Sequence, residues 1–253
     1  MDLLTAFRLD PEVPQLISLV GGGGKTTTMF ALAQALKSLQ KRVLVTTTTN
    51  ILYPGTEVCD RIIVDETPAI AIFRDVRAGT VTVLGRKLVS GCDETKLVGI
   101  EKEFVEQLFQ EPLFDHILVE ADGSRQKPIK APASYEPVIP ESATLTIGVI
   151  GLDALGKPIS EEHVHRLELF CRVVNRRPGD LLDAAAVVEL IVSSRGLFQG
   201  VPAGCPAYVL LNKADDEPRR AYGEEIRRRL REREGVVSAE VIIASMAQNR
   251  IYS

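Results

Sequence analysis

The stretch LISLVGGGGKTTTMFALAQAL, residues Leu16 to Leu36, sets four consecutive glycines between an apolar run and a lysine followed by three threonines. Leu16, Ile17, Leu19 and Val20 form a short apolar segment of buried-strand type, and from Thr27 onward Phe30, Leu32, Leu36 and Leu39 recur at helical spacing. Gly21, Gly22, Gly23 and Gly24 therefore join a strand to a helix. Without side chains they let backbone N–H groups approach an anion, and the helix start adds free donors and the positive end of its dipole. From there Lys25 can reach outer phosphates, and the Thr26 hydroxyl can complete the shell of a magnesium ion. A merely flexible glycine linker wants polar flanks, which this stretch lacks.

The common G-x-x-x-x-G-K-[ST] spacing is not met, because the place of its first glycine is Leu19. Two shortened phosphate loops resemble the stretch. The Mur-type ligase loop, G-x-x-G-K-[ST]-[ST], is matched by Gly21, Gly24, Lys25, Thr26 and Thr27. The loop of the ParA and nitrogenase-iron-protein class, K-G-G-x-G-K-[ST], is matched by Gly21, Gly22, Gly24, Lys25 and Thr26, with Val20 in place of its first lysine. Charge at the outer phosphates is then expected from Lys25, the metal and lysines of a later loop rather than from a partner subunit.

With 253 residues, 45% hydrophobic and 25% charged, the chain has globular composition and length for one large α/β domain or two small ones. A net charge of -4 gives no basic footprint for nucleic acid, and the arginine-rich run from Arg219 to Glu234 is interleaved with acids as a solvated helix face is. No apolar stretch approaches a membrane span and the first residues lack a signal-peptide pattern, so a cytoplasmic location is expected. Cys59, Cys92, Cys171 and Cys205 form no C-x-x-C pair. Cys92 is kept apart because it precedes an expected helix start, where a dipole favours the thiolate.

Beyond the first helix, KRVLVTTTTNI, CDRIIVD and TVTVLGRKLVSG read as strands, and KLVGIEKEFVEQLFQE as an amphipathic helix leading into the buried strand HILVEADGS. ATLTIGVIG, AYVLLNKAD and AEVIIAS add strands, separated by helical patterns in SEEHVHRLELFCRVV and DLLDAAAVVELIVSSRGL. This alternation predicts an α/β fold with a doubly wound, mainly parallel sheet, a three-layer sandwich of the P-loop NTPase type. The expectation is a single nucleotide-binding domain over residues 1–253, with an ordered loop at 123–143 that holds four prolines and lies over the carboxyl ends of the strands.

Glu120 and Asp122 end an apolar strand downstream of the glycines, where nucleotide hydrolases place the carboxylate that holds magnesium. Lys25, Glu120 and Asp122 are the candidate catalytic residues, and Thr26, Glu120 and Asp122 the candidate metal ligands, with magnesium and GTP or ATP as the expected cofactors. Thr46 to Thr49 end the second strand, beside the glycine turn if the first two strands pair; Thr48 and Thr49, with Asn50, are candidates to meet the γ-phosphate or water. Asn212, Lys213 and Asp215 match the N-K-x-D guanine motif after a strand, and the Asp carboxylate can accept both N1–H and N2–H of guanine, which adenine cannot offer. Ala244 and Ser245 are placed to supply the last base-contacting loop. GTP is therefore favoured over ATP. His163 and His165, two apart on an expected helix, point to different sides and make no metal pair.

With TTTTNI, VEADGSRQKPIKAPASYEPVIP and GVIGLDALGKPISEEHVHR added to the glycine turn, the chain resembles the YqeC family, described as accessory proteins of selenium-dependent molybdenum hydroxylases. The resemblance implies a cytoplasmic protein that helps mature such a cofactor, with a molybdenum hydroxylase or its cofactor as partner. It marks Glu120, Asp122, Gly123, Lys127, Lys130 and Glu136 as site residues, with His163, His165 and Arg166 behind them. Lys127 and Lys130 could bind a substrate phosphate, a molybdopterin phosphate or selenophosphate. An accessory NTPase is the leading expectation; a kinase- or ligase-like enzyme activating selenium or molybdopterin, and a nucleotide-switched binding module without turnover, are the alternatives.

Overall fold

The computed structural model describes residues 2–91, 94–233 and 239–252, so Cys92 lies outside the described residues. A one-turn helix, α1 (Leu3–Ala6), precedes strand β1 (Gln15–Gly21), helix α2 (Lys25–Ser38) and strand β2 (Arg42–Thr47). Short strands β3 (Asn50–Leu52) and β4 (Arg61–Val64) lead to β5 (Thr80–Gly85), β6 (Lys87–Ser90), β7 (Thr95–Val98), α3 (Lys102–Gln110) and β8 (His116–Glu120). Then come β9 (Ile129–Lys130), β10 (Leu145–Gly151), β11 (Val164–His165), α4 (Leu167–Val174) and α5 (Ala184–Val192). The chain closes with β12 (Ala207–Asn212), α6 (Glu217–Arg231), β13 (Glu240–Ser245) and β14 (Arg250–Tyr252).

Nine strands form one sheet in the order β14-β13-β12-β10-β1-β8-β2-β5-β4. All its pairings are parallel except β13 with β14. The central strands are apolar on both faces, as a sheet covered on both sides demands. Ile17 and Leu19 of β1 pack into a core shared with α1 and α2, while Leu16 and Val20 pack into a second core with α3, α4, α5 and α6. This is the predicted α/β three-layer architecture with a mainly parallel sheet.

Two neighbour relations position everything that follows. First, β8 lies between β1 and β2, so the two strands expected side by side do not pair. Second, β8 and β10 flank β1, so the chain that connects them must cross it. Residues 123–143 make that crossing. They are bonded to the glycine turn by Gly23 N donating to Lys127 O (3.0 Å), and to the acidic strand end by Val138 N donating to Ala121 O (2.9 Å). Ile139 and Ala143 then descend into the second core.

Two expected helices differ. The pattern from Lys96 to Glu111 starts as strand β7, which pairs with β3 and β6 in a small antiparallel sheet, and only becomes helical at Lys102. Gly99 makes the break: its amide donates to Thr49 O at 2.7 Å, and a Cβ there would lie 2.1 Å from Thr47 O. Tertiary pairing overrides a helical apolar period. Likewise the stretch holding His163 and His165 is not helical, because Val164 and His165 form β11 against Ile129 and Lys130 of β9, and α4 starts only at Leu167.

Candidate functional site

Helix α2 begins without any local compensation. Its N-cap, Gly24, has no side chain to cap it, and the first turn contains no acidic residue. Such a start leaves amides without acceptors and the positive dipole end uncompensated. The amides of Gly24, Lys25, Thr26 and Thr27 have no acceptor among the described residues, whereas Gly22 N and Gly23 N donate to Val149 O and Lys127 O. The glycines thus divide: two tie the turn to its neighbours, and the last opens the donors. At Gly24 φ is +121° and a Cβ would lie 2.4 Å from the Asn212 amide nitrogen, so only glycine fits.

Lys25 is 3% exposed. Its ammonium donates to Gly21 O at 2.7 Å and lies 3.2 Å from Asp122 Oδ1 and 3.4 Å from Glu120 Oε1. Burial disfavours its charge, but the carboxylates of Asp122 and Glu120 outweigh this and hold its pKa above the ordinary lysine value. Burial raises the Glu120 pKa, with Lys25 and the Thr26 hydroxyl opposing.

The two acids stand apart in geometry. Glu120 lines the cavity described below and accepts the Thr26 hydroxyl at 2.7 Å. Asp122 stands behind Lys25, outside that lining, where Oδ2 accepts Gly21 N at 3.1 Å. Lys130 Nζ is 3.1 Å from Asp122 Oδ2 and 2.8 Å from Glu136 Oε2, and Arg166 is 3.0 Å from Glu136 Oε1. Arg166 in turn donates to the Tyr135 hydroxyl at 3.2 Å and lies over its ring. A chain of alternating charge runs from Lys25 to the exposed Tyr135. Burial raises the Glu136 pKa, but the cations of Lys130 and then Arg166 prevail and hold it below the usual range.

This geometry revises the expected role of two loop lysines. Lys130 is 1% exposed, held in β9 between two carboxylates, and has no free face for an anion. Lys127 donates to Glu161 O. The threonines divide as well: Thr46 donates to Leu84 O, Thr47 to Glu120 O and Thr48 to Val138 O, which leaves Thr49 and Asn50 on the cavity wall.

Of the N-K-x-D residues, Asn212 reaches the same turn. Asn212 Nδ2 donates to Gly23 O at 2.8 Å and its Oδ1 accepts Met246 N at 3.0 Å, so one amide joins the glycine turn to the end of β13. Asp215 accepts Ser245 Oγ at 2.6 Å and Arg219 at 2.9 Å, which brings Ser245 to the motif. Lys213 lines the cavity and donates to Asp153 at 2.8 Å. Asp153 was not legible as a site residue; an acid after a strand's closing glycine was its only signal.

A cavity of about 890 Å³ opens over these groups, within the range of small-molecule sites. Its lining includes Thr26, Thr27 and Glu120 together with the basic side chains of Lys96, Arg125 and Arg166 and the ring of His165. Burial, then Lys130, Arg166 and Arg125, lower the His165 pKa to about 4, so it stands neutral at physiological pH.

A mainly parallel α/β sheet whose carboxyl edge bears a glycine-lysine turn, a buried lysine–carboxylate network and a deep cavity defines the class of protein. The chain belongs to the YqeC family: the family model described as YqeC protein matches residues 17–168. It is 34% identical over 206 residues to the Escherichia coli (strain K12) "Uncharacterized protein YqeC", over 79% of this chain and 76% of that one. The family match contains the whole ion-pair chain, while Asn212, Lys213 and Asp215 lie beyond it. Among the described residues no helix is long and apolar enough to cross a membrane.

Proposed function

We propose that the turn between β1 and α2 binds the phosphates of a nucleoside triphosphate with magnesium, GTP in preference to ATP. In this reading the protein hydrolyses the nucleotide while assisting maturation of a selenium-dependent molybdenum hydroxylase cofactor. The observation that carries the nucleotide reading is the open start of α2, four adjacent amides without acceptors beside a buried ammonium. The maturation role rests on the family resemblance alone.

Lys25 would exchange Gly21 O for phosphate oxygens, and Asp122, still held by Gly21 N and Lys130, would keep its ammonium aimed at them. Thr26 and Glu120 present hard oxygens 2.7 Å apart on the cavity wall, a pair that suits magnesium, which keeps most of its waters. Held there, the ion would neutralise charge on the outer phosphates. Glu120 would orient the attacking water. Asp215, fixed by Ser245 and Arg219, would accept the guanine N–H groups. A kinase-like variant of this reading is favoured by the size of the cavity and the basic residues Lys96, Arg125 and Arg166 in its lining, which suit an anionic acceptor.

The test is calorimetric titration with magnesium-GTP and magnesium-ATP, followed by phosphate release. GTP should bind more tightly, Lys25→Ala should remove binding of both, and Asp215→Ala should erase the preference. Glu120→Gln should bind nucleotide yet release phosphate at least ~100-fold more slowly, the scale of one lost transition-state contact. Tighter binding of ATP by the unmodified protein ends the guanine assignment, and absence of binding to either ends the whole reading. Equal phosphate release by Glu120→Gln removes Glu120 from the reaction.

A further inference from the structure

The cavity holds basic side chains that nucleotide binding and hydrolysis, as described above, do not use. Arg125, in the crossing loop, and Lys96, in β7, both line it, are exposed, and have no carboxylate or other partner among the described residues. Arg166 lines it too, and its Nε is buried without an acceptor among the described residues. A buried donor without an acceptor carries a desolvation cost that a ligand oxygen would relieve. Arg125 and its neighbour Gln126 both hold left-handed backbone, at φ 49° and 60°, as does Arg166 at 63°. Non-glycine residues in that region cluster at ligand clamps. Among the described residues the acids that line the cavity have partners other than Arg125 and Lys96: Glu136 has Lys130 and Arg166, Glu120 has Thr26 and Lys25, and Glu94 has Gln126.

We infer that Arg125, Lys96 and Arg166 form a second anion subsite, which takes the tetrahedral oxyanion of a small phosphorylated molecule in the same cavity as the phosphate turn. These three cations, from β7, the crossing loop and the residue after β11, line one cavity, and Arg166 pairs with Glu136 through Nη2 while its Nε has no acceptor among the described residues; Lys130 and Lys127 lie outside that lining and are held by protein groups. Guanidinium groups match such an oxyanion with paired donors. His165, neutral beside them, adds hydrogen bonding without charge. The subsite deepens the nucleotide reading, because the phosphate turn lines the same cavity, but it does not depend on it.

Equilibrium dialysis with labelled inorganic phosphate tests this on four proteins: the unmodified chain, Lys25→Ala, Arg125→Ala with Lys96→Ala, and all three changes together. Arg125 and Lys96 are exposed and unpartnered, so their removal should leave folding intact, checked by circular dichroism. Phosphate should still bind to Lys25→Ala, and adding the Arg125→Ala and Lys96→Ala changes to that protein should weaken binding by about tenfold or more. The same loss should appear when the turn of the unmodified protein is saturated with a magnesium-loaded non-hydrolysable nucleotide and the two proteins are compared. Phosphate binding that disappears with Lys25→Ala and survives Arg125→Ala with Lys96→Ala overturns the subsite, as does no phosphate binding at all. Failure of nucleotide binding with retained, Arg125-dependent phosphate binding refutes the function proposed above and leaves the subsite standing.

Discussion

The ammonium of Lys130 lies between Asp122 and Glu136, 3.1 Å from one carboxylate and 2.8 Å from the other, with its side chain fully buried. Yet neither Lys130 Nζ nor Glu136 Oε2 has an aligned hydrogen bond. Attraction here is charge on charge at low dielectric, and removal of the cation leaves two acids uncompensated. Lys130→Met should destabilise the protein by roughly 3–5 kcal/mol, read from the midpoint of urea unfolding. Adding Glu136→Gln should recover part of that loss; a Lys130→Met protein as stable as the original contradicts the account.

Gly24 and Gly123 make a matched pair of probes. Alanine at Gly24 meets both a φ of +121° and the Asn212 amide, whereas a Cβ at Gly123 meets nothing within 4 Å. Gly24→Ala should lower stability by about 1–3 kcal/mol and Gly123→Ala should be close to neutral, measured side by side by thermal unfolding. Equal effects would show that the turn relaxes around the added methyl.

Asn212 is 3% exposed and satisfies one carbonyl and one amide with the two ends of its side chain. Asn212→Ala orphans both Gly23 O and Met246 N, at about 1–3 kcal/mol for each unsatisfied group. Asn212→Asp should be no better, since it turns a carboxylate oxygen towards the Gly23 carbonyl. Denaturant midpoints for the two variants decide this, and a stable Asn212→Asp protein would argue against the bridge.

His165 gives a pH dependence with a defined sign. Its folded pKa of about 4 lies below its ordinary value of 6.5, so between those values the unfolded chain binds more protons. Stability should therefore rise from pH 4 to 6.5 and owe nothing further to His165 above that. Allowing for screening of a half-exposed group, the contribution is roughly 1–2 kcal/mol. His165→Gln should flatten the slope by that amount in denaturation series at pH 4.5 and 7; an unchanged slope excludes His165 as its source.

The turn, the acids and the N-K-x-D residues were legible because each is a local pattern: glycines before a lysine, acids after an apolar strand, a motif at a strand end. What was not legible depends on strand order. Nothing near Thr46 announces that β8 separates it from β1, and nothing near Lys130 announces that its connection must cross β1 and sink into the core. The strand at Thr95–Val98 was hidden for the same reason, since its partners lie in β3 and β6.

Glu120 touches the start of α2 through its carboxylate, which accepts the Thr26 hydroxyl, and touches the threonine turn through its carbonyl, which accepts Thr47 Oγ1 at 2.7 Å and Thr48 N at 3.2 Å. One residue therefore joins the helix start to the threonine turn. A substitution at Glu120 removes the side-chain contact to the helix start while its backbone goes on holding the threonine turn in place.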